Sequence, residues 1–411
     1  MTPAPEATLA VPRTRSRGSS VGSINVGTTS ARGFSTMKLS ASQRQQSNNR
    51  IQELSTDSRS DGAIVHKMYV AYKELTFRHT WINPLLVMGS IVAVYFLGDQ
   101  HTQVHALLVR MISVSYPIQG TDQYGKGVND FFFVGFYSLF FTFLREFLMC
   151  CIFRPAAHLL GVRKQAKVKR FMEQAYSMFY YGLSGPFGLW VMSQGPLWFF
   201  ETTPFYTNYP HKTHDWYFKV YYLGQAAFWV QQSVVLVLQL EKPRKDFYEL
   251  ILHHIVTIAL IWCSYRFHFT HMGLAVYVTM DVSDFFLSTS KTLNYLDSPL
   301  AGPFFLVFVL VWIYLRHYIN LRILWSVLTE FRTVGEWELN WDTQQYKCWI
   351  SQPIVFGLLF ALQLLNAYWL FLIFRILYRY IVGGVAADER SDDEEEDECE
   401  TQTPAQTKKD E

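Results

Sequence analysis

Charged residues are scarce in this chain. Asp, Glu, Lys and Arg together make up 17% of the 411 residues, whereas apolar residues make up 50% and aromatic residues 17%. That balance is too apolar for a soluble protein, and polar breaks divide the apolar residues into separate runs, which excludes a single globular core. The composition therefore favours a protein embedded in a membrane.

Cysteines are few, and no cleavable apolar leader is expected. The chain has five cysteines, and because they show no metal-binding spacing, neither a disulfide framework nor a metal site is predicted. Residues 1–60 contain no apolar stretch of the kind that forms a cleavable signal peptide, so we expect insertion to use an internal span. Residues 1–65 and the acidic residues 386–411 are predicted to be disordered tails.

Long apolar runs are what the chain does contain. A membrane span needs about 20 predominantly apolar residues, and about eight runs fit: residues 81–98, 130–153, 174–193, 217–240, 250–269, 272–290, 301–327 and 349–381. Backbone groups in lipid must bond within helices or closed barrels, and these runs are too long and unbroken for barrel strands. We therefore predict an all-α polytopic membrane protein with about eight transmembrane helices.

Basic residues in the short loops predict the orientation. Lys and Arg accumulate on the cytoplasmic side of a membrane, and here they cluster in residues 154–170 and 242–245 and are sparse in the alternate loops. Arg332 and Lys347, which fall on the predicted lumenal side, are exceptions to this alternation. Both termini are thus predicted to be cytoplasmic.

The tails carry short signals that fit a cytoplasmic location. Lys408 and Lys409 are followed by two further residues, Asp410 and Glu411, which resembles the dilysine retrieval signal of endoplasmic reticulum membrane proteins. Ser19 and Ser20 follow basic residues, and Ser391 precedes an acidic run. Both patterns occur at phosphorylation sites, but neither is specific, and a solvated disordered tail is the better explanation of them. We expect a multi-pass endoplasmic reticulum phosphoprotein.

Four ionisable residues in two successive spans form the candidate site. His253 and His254 lie in the fifth run, and Asp281 and Asp284 lie in the sixth. Such side chains cost a few kcal/mol each at bilayer depth, so their presence indicates a function. The two spans should form an antiparallel hairpin that brings the four groups to similar depth. The two carboxylates share a helix face, whereas adjacent histidines diverge by about 100 degrees.

This constellation fits acyl chemistry but leaves alternatives open. A carboxylate that holds an imidazole makes it a general base or a nucleophile. The same groups also fit a buried ion pair that locks two helices together. A metal centre would need more histidine pairs at ligand spacing than His101 with His105 and His268 with His271, and both pairs fall on the predicted lumenal side.

Basic residues near the predicted mouth of this site are candidates to bind the phosphates of acyl-CoA. Anionic lipid headgroups are an equally good fit for them. The candidates are Arg163, Lys164, Lys242, Arg244, Lys245 and Lys291.

Residues 252–295 resemble the long signature of the ceramide synthases in the TLC-domain family. The signature's paired His, Ser-Tyr, Gly, Met-Asp-x-Ser-Asp and Lys-x-x-Asn-Tyr are matched by His253, His254, Ser264, Tyr265, Gly273, Met280, Asp281, Ser283, Asp284, Lys291, Asn294 and Tyr295. The likeness extends over about residues 65–381 through FFTFLREFLM, SGPFGLW, LGQAAFW, QLEKPRKD, WIYLRH, RILWSVLTEFR and TQQYKCWIS. It is greatest to the fungal members, which lack a homeobox-like insert before the family domain.

The resemblance implies transfer of a long-chain or very-long-chain fatty acyl group from acyl-CoA to a sphingoid base in the endoplasmic reticulum. It implies that His253, His254, Asp281 and Asp284 are essential, that acyl-CoA is a co-substrate and that no other cofactor or metal is used. It also implies a small single-span accessory subunit, and a homodimer or a heterodimer with a paralogue. Residues 66–160 would hold two spans and a lumenal loop, and residues 161–385 the six-helix TLC domain around a central cavity.

Two other functions are weighed against this one. A fatty acid elongase has a histidine three residues before its histidine pair, but here that position is Leu250. A noncatalytic TLC-domain lipid carrier shares the fold, and fold alone does not decide function. Such carriers generally lack the histidine pair with both aspartates, so the acyltransferase is preferred.

Overall fold

The computed structural model describes residues 61–241 and 246–383, which form a helical bundle. Its α-helices are α1 Asp61–Arg78, α2 Ile82–Leu97, α3 Gln103–Ile112, α4 Asp130–Phe147, α5 Arg154–Leu159, α6 Gln165–Ser193, α7 Trp216–Val237, α8 Phe247–Arg266, α9 Thr270–Tyr295, α10 Ala301–Trp312, α11 Asn320–Thr329 and α12 Ser351–Gly383. π-Helical segments join α4 to α5 at Leu148–Phe153 and α10 to α11 at Ile313–Ile319. Short 3₁₀ helices cover Trp198–Phe200 and Thr203–Phe205.

Strand structure in these residues amounts to one short ribbon. Strand β1, Gln123–Tyr124, pairs antiparallel with β2, His214–Asp215. Gln123 lies opposite Asp215, and Tyr124 lies opposite His214. We call the end of the bundle that carries this ribbon, together with the turn between α8 and α9, the ribbon end.

The all-α membrane fold is confirmed, and each of the eight predicted spans coincides with a helix or with two helices joined by a π segment. Four helical stretches in the described residues are long and apolar enough to cross a membrane by themselves: Asp130–Leu159, Phe247–Arg266, Ala301–Thr329 and Ser351–Val382. Helix α2 is shorter than these, at 16 residues. Helices α6, α7 and α9 are less apolar because they bury polar side chains inside the bundle, among them Arg170, Glu173, Lys219, Gln225, Asp281 and Ser283.

Helix α9 is the central element of the bundle. It packs along α6 and also contacts α8 and α10, while α12 packs on α8 and α4 packs on α7. The larger core cluster is rich in tyrosine and phenylalanine, and its fully buried members include Phe205, Tyr206 and Leu274. A second apolar cluster joins α8, α9 and α10 to α12 through Val256, Phe308 and Leu365.

Glycines let α6 and α9 approach each other closely. Going up α6, Gly182 faces Phe285, Gly185 faces Val282 and Gly188 faces Val278, the antiparallel order of two packed helices. Small residues at one helix face allow backbones to come together in lipid, where dispersion contacts replace the hydrophobic effect. The three glycines therefore bring the backbones of α6 and α9 close together.

The ribbon end buries a charged pair and several histidines. Lys219 donates to Asp130 at 2.8 Å and to the carbonyls of Ser115 and Gly125 at 2.7 Å. Tyr265 donates to the other carboxylate oxygen of Asp130 at 2.7 Å. These contacts tie α4, α7 and α8 together where their chains enter the ribbon end.

The histidines of the ribbon end surround the first turn of α9. His211 stacks on His271 with ring centroids 3.7 Å apart, and His214 lies 3.0 Å from the hydroxyl of Thr270. Burial, together with the nearby His271, lowers the pKa of His211 to about 3. Burial and the nearby Lys126 lower the pKa of His268 to about 3, and burial holds the pKa of His214 well below its usual range.

We predict that Gly188→Ala destabilises the bundle. A Cβ at residue 188 would collide with the hydroxyl of Tyr221 and with Val278, and overpacking of this kind costs about 1–3 kcal/mol. Thermal unfolding of the purified protein in detergent measures the loss. Gly224→Ala is the matched control, because nothing lies within 4 Å of its Cβ position; equal melting temperatures for the two variants would contradict the prediction.

We also predict that acidification weakens the ribbon end. These imidazoles stay neutral in the fold, whereas in the unfolded chain they bind protons below a pKa of about 6.5. The unfolded state then binds more protons, so stability falls as the pH drops from about 6.5 towards 3. At pH 5 the low pKa of His211 alone lowers the free energy of unfolding by about 2 kcal/mol relative to neutral pH.

The measurement is the melting temperature at pH 7.5 and at pH 5. Carboxylates elsewhere titrate too, so the comparison is made between the wild type and His211→Gln, which keeps a donor for the carbonyl of Thr207 that His211 contacts at 3.0 Å. The variant should lose less stability on acidification than the wild type. An identical pH dependence would show that His211 titrates normally.

Candidate active site

The two adjacent histidines occupy the second turn of α8 and point in different directions. His253 is buried, with 7% of its surface exposed, whereas His254 is half-buried. Successive residues of a helix are rotated by about 100 degrees, so only one of the pair can face the core. The predicted divergence of the two side chains is confirmed.

His254 is held in one tautomer by its own helix. Its Nδ1 lies 2.9 Å from the carbonyl oxygen of Leu250, one turn earlier. A carbonyl only accepts hydrogen bonds, so Nδ1 must carry the proton and Nε2 keeps its lone pair. His254 therefore presents a basic nitrogen without the help of a carboxylate.

His253 sits among aromatic rings. Its ring lies 5.6 Å from that of Trp229 on α7 and 5.1 Å from that of Trp369 on α12, with interplanar angles of 71° and 74°. The ring of His254 is a third edge-on neighbour, at 5.8 Å and 90°. Edge-to-face packing of this type fixes the plane of a ring.

Asp281 is fully buried and is bound by residues of α7. One carboxylate oxygen accepts a short hydrogen bond from the side-chain amide of Gln225 and another, at 3.3 Å, from the hydroxyl of Tyr221. Gln225 in turn accepts from Tyr180 on α6 at 3.1 Å. Asp281 thus joins α6, α7 and α9 through neutral donors.

Asp284 forms an ion pair with Arg316, which lies in the π segment between α10 and α11. The guanidinium donates to the carboxylate at 2.6 Å, to Ser283 at 2.6 Å and to Asn366 on α12 at 3.2 Å. It also stacks on the ring of Trp312, 4.1 Å from the centroid. A charge buried in an apolar bundle requires such pairing. The carboxylate of Asp284 is therefore the counter-ion of Arg316.

The expected pairing of the two histidines with the two aspartates is not seen among the described contacts. Among the hydrogen bonds of the described residues, none joins an imidazole of the pair to Asp281 or Asp284, whose partners are Gln225, Tyr221 and Arg316. The cause is competition, since amide, hydroxyl and guanidinium donors on other helices reach the carboxylates. Arg316 pairs with Asp284 and also bonds Ser283 and Asn366.

An elongated cavity of about 240 Å³ begins at His253 and runs along α8. Its wall on this helix extends from His253 to Phe267, a rise of about 21 Å for 14 residues. Helices α9 and α12 and the segment before α12 close the other sides, and nearly all the lining is apolar. Concave sites with a mostly apolar lining bind small molecules, and the narrow apolar lining of this one suits a single extended hydrocarbon chain.

The far end of the cavity, at the ribbon end, is lined by Phe267, Trp341 and Tyr346. Tyr346 stacks on His268 at 6.0 Å and 11°, and His268 lies 3.2 Å from the side-chain oxygen of Gln344. The turn between α8 and α9 therefore forms part of the cavity wall, through Phe267 and Phe269.

Several functional-site residues were missed by the sequence analysis. Gln225, Tyr221 and Arg316 bind the two carboxylates, and Trp229 and Trp369 flank His253. A glutamine inside the apolar run of α7 was the available signal for Gln225. For Arg316, the available signal was a charged residue inside the apolar run 301–327; His317 beside it bonds to Gln363 at 2.9 Å. Nothing in the spacing of the tryptophans distinguished them from core residues.

The basic candidates divide into described and undescribed residues. Arg163 and Lys164 are exposed at the start of α6, and Lys291 is half-buried near the end of α9. The contact of Lys167 with Asp297 at 2.6 Å shows that these two helix ends are neighbours, and α8 begins at the same end of the bundle because it runs antiparallel to α9. Lys242, Arg244 and Lys245 lie outside the described residues.

Within residues 61–241 and 246–383, no three His, Cys, Asp or Glu side chains are grouped closely enough to hold a metal ion.

Comparisons with known proteins identify relatives along most of the chain. The TLC domain family matches residues 170–375. Sphingosine N-acyltransferase LAG1 of Saccharomyces cerevisiae is 54% identical over 380 residues, which cover 92% of this chain and 92% of that protein. Sphingosine N-acyltransferase lac1 of Schizosaccharomyces pombe is 50% identical over 76% of this chain and 81% of its own length. A sphingosine N-acyltransferase-like protein, FUM17 of Gibberella moniliformis, is 49% identical over 77% and 83%.

Proposed function

The chain belongs to the TLC domain family, and we propose that it is a ceramide synthase, an acyltransferase that moves a long-chain fatty acyl group from acyl-CoA to the amine of a sphingoid base. The relatives that share half of its residues carry the names ceramide synthase and sphingosine N-acyltransferase. The structural observation that carries the proposal is the position of His253, a nitrogen base on the wall of an otherwise apolar cavity inside the bundle.

The cavity is proposed to hold the acyl chain. It offers an apolar tube about 21 Å long on one helix, with His253 at one end and aromatic side chains at the other. A fatty acyl chain that fills it places its carbonyl carbon beside His253. The sphingoid amine then has to approach from the same end, where the half-buried His254 lies.

The coenzyme A part of the donor is proposed to dock outside the histidine end of the bundle. Arg163 and Lys164 stand at the surface there, and Lys291 lies between that surface and Asp284. Charged side chains of this type bind phosphates as charge-assisted hydrogen-bond donors. Lys242, Arg244 and Lys245 are proposed to add to this site, and acyl-CoA is proposed as a co-substrate with no further cofactor.

The proposed reaction needs one base. The Nε2 lone pair of His254 accepts a proton as the amine nitrogen attacks the acyl carbon, the new C–N bond forms, the C–S bond breaks and the proton passes to the departing thiolate. In a covalent variant, an imidazole nitrogen attacks first, coenzyme A leaves as the thiol, and the amine then displaces the imidazole. Release of coenzyme A from acyl-CoA in the absence of the amine, one equivalent per enzyme, would distinguish the covalent route.

The aspartates are proposed to act through other residues. Asp284 neutralises Arg316, which bonds α9 and α12 beside His253. Asp281 fixes the relative positions of α6, α7 and α9 through Gln225 and Tyr221. Both would be required for activity, because each maintains the arrangement of helices around the imidazoles.

The proposed setting is the endoplasmic reticulum membrane, with both termini in the cytoplasm. The distribution of Lys and Arg and the dilysine-like Lys408 and Lys409 support it, although those two residues lie outside the described part of the chain. Association with a small single-span subunit and dimerisation, with a second copy or a paralogue, belong to the same proposal through the family resemblance.

We predict that His253→Ala and His254→Ala each abolish most amide formation. Loss of a general base or nucleophile slows a reaction by about 10²- to 10⁴-fold. The assay uses purified protein, labelled sphinganine and a long-chain acyl-CoA, with the amide product separated and counted. His158→Ala is the control, because His158 is exposed on α5. Normal ceramide formation by either site variant would refute the role, and an elongated acyl chain or binding without product would refute the proposed function.

We predict that a bulky residue in the cavity shortens the accepted acyl chain. Thr257 lines the cavity one turn beyond His253, so Thr257→Trp blocks the tube below the reacting carbonyl. The rate with a long-chain acyl-CoA should fall by about tenfold or more, since misplaced reactants lose most of their reactivity. A short-chain acyl-CoA should be much less affected.

Ile255→Trp provides the matched control for this experiment. Ile255 lies on the same helix with 61% of its surface exposed on the outer face. It should leave the preference between long and short chains unchanged. If Thr257→Trp slowed both donors equally, the cavity would not be the site of the acyl chain.

A further inference from the structure

His253 lacks the hydrogen-bonded partner that usually orients a reactive histidine. Its Nδ1 is buried without a hydrogen bond within the described part of the chain. The carboxylates that were expected to hold it are engaged elsewhere, Asp281 by Gln225 and Asp284 by Arg316. Some other contact must therefore fix the plane of this ring.

Trp369, which lies on α12, provides such a contact with the ring of His253. Its indole ring lies 5.1 Å from the ring of His253 at 74°, nearer than Trp229 on the opposite helix at 5.6 Å. Trp369 is itself buried, with 8% of its surface exposed. A ring held edge-on by an immobile neighbour loses the freedom to rotate.

Asp246 anchors this indole. The Nε1–H of Trp369 donates to Oδ2 of Asp246 at 3.3 Å, and Asp246 is 6% exposed. Asp246 immediately precedes α8, seven residues before His253. Positions seven apart share one face of a helix, two turns from each other. Trp369 therefore spans two turns of α8, with its N–H on Asp246 and its ring against His253.

We propose that Trp369 and Asp246 are positioning residues for His253, so that the contact between α12 and α8 sets the angle at which the imidazole meets the acyl carbonyl. This inference rests on the proposed acyltransferase function. It assigns to an anchored indole the orienting role that a carboxylate has in many enzymes. The indole N–H donates to Asp246 and not to the imidazole, so both nitrogens of His253 stay available to the reaction.

The test compares Trp369→Phe with Asp246→Ala and their double variant. Trp369→Phe keeps an aromatic ring but removes the donor to Asp246, and Asp246→Ala removes the acceptor. Each should lower kcat by about tenfold, as expected for a small displacement of a reacting group, with KM for acyl-CoA within about twofold. The double variant should be no slower than the slower single variant, because both changes break one contact.

Conservative and remote variants separate positioning from folding. Asp246→Asn keeps an oxygen that accepts from the indole and should retain more of kcat than Asp246→Ala. Trp325→Phe changes a tryptophan on α11 that is 65% exposed, and it should match the wild type. Melting temperatures of all variants show whether a loss of rate follows a loss of fold, and where Asp246→Ala fails to fold, Trp369→Phe alone decides.

The outcomes distinguish this inference from the proposed function. If the wild type and Trp325→Phe form no amide product, the proposed function fails. If they form product and Trp369→Phe has the same kcat, or if the two single effects multiply in the double variant, the positioning role is overturned. A rise in KM at constant kcat would likewise overturn it, because it would place Trp369 in substrate binding.

Discussion

The ion pair of Arg316 with Asp284 is the contact on which the arrangement of the site depends. A guanidinium inside an apolar bundle has to be neutralised and hydrogen-bonded, or it costs several kcal/mol. Here Asp284, Ser283 and Asn366 supply its partners from α9 and α12. The helices that carry these partners also form walls of the cavity. The need to pair the Arg316 guanidinium therefore constrains the positions of α9 and α12, and with them the position of the cavity.

The two histidines are neighbours on one helix but have different surroundings. His254 bonds its own backbone and has a defined tautomer, whereas His253 turns inward to aromatic rings and lines the cavity. The difference follows from helix geometry alone, since a rotation of about 100 degrees separates the two side chains. Neither residue needs a carboxylate to stay in its place. The two aspartates bind donors on other segments of the bundle.

Sequence reasoning succeeded where one helix decides the outcome. The lengths and positions of the helices, the divergence of His253 from His254 and the close approach at Gly185 all follow from local patterns. It failed where several helices compete for one group. Which donor reaches Asp281 depends on how α7 lies against α9, and Gln225 wins that competition through a geometry that no spacing in the sequence encodes. The anchoring of Trp369 by a residue 123 positions earlier is of the same kind.

The π-helical segment Ile313–Ile319 has a consequence for how homologous chains should be aligned and interpreted. A π turn contains an extra residue, so the side chains before it and after it follow different angular frames. Arg316 can point inward while Tyr314 and Tyr318, two positions away on either side, are exposed. A single helical wheel drawn across residues 301–329 would therefore place the residues after the π turn on the wrong face of the helix. A one-residue gap that an alignment of homologues places here would reflect the π turn and would not be an alignment error.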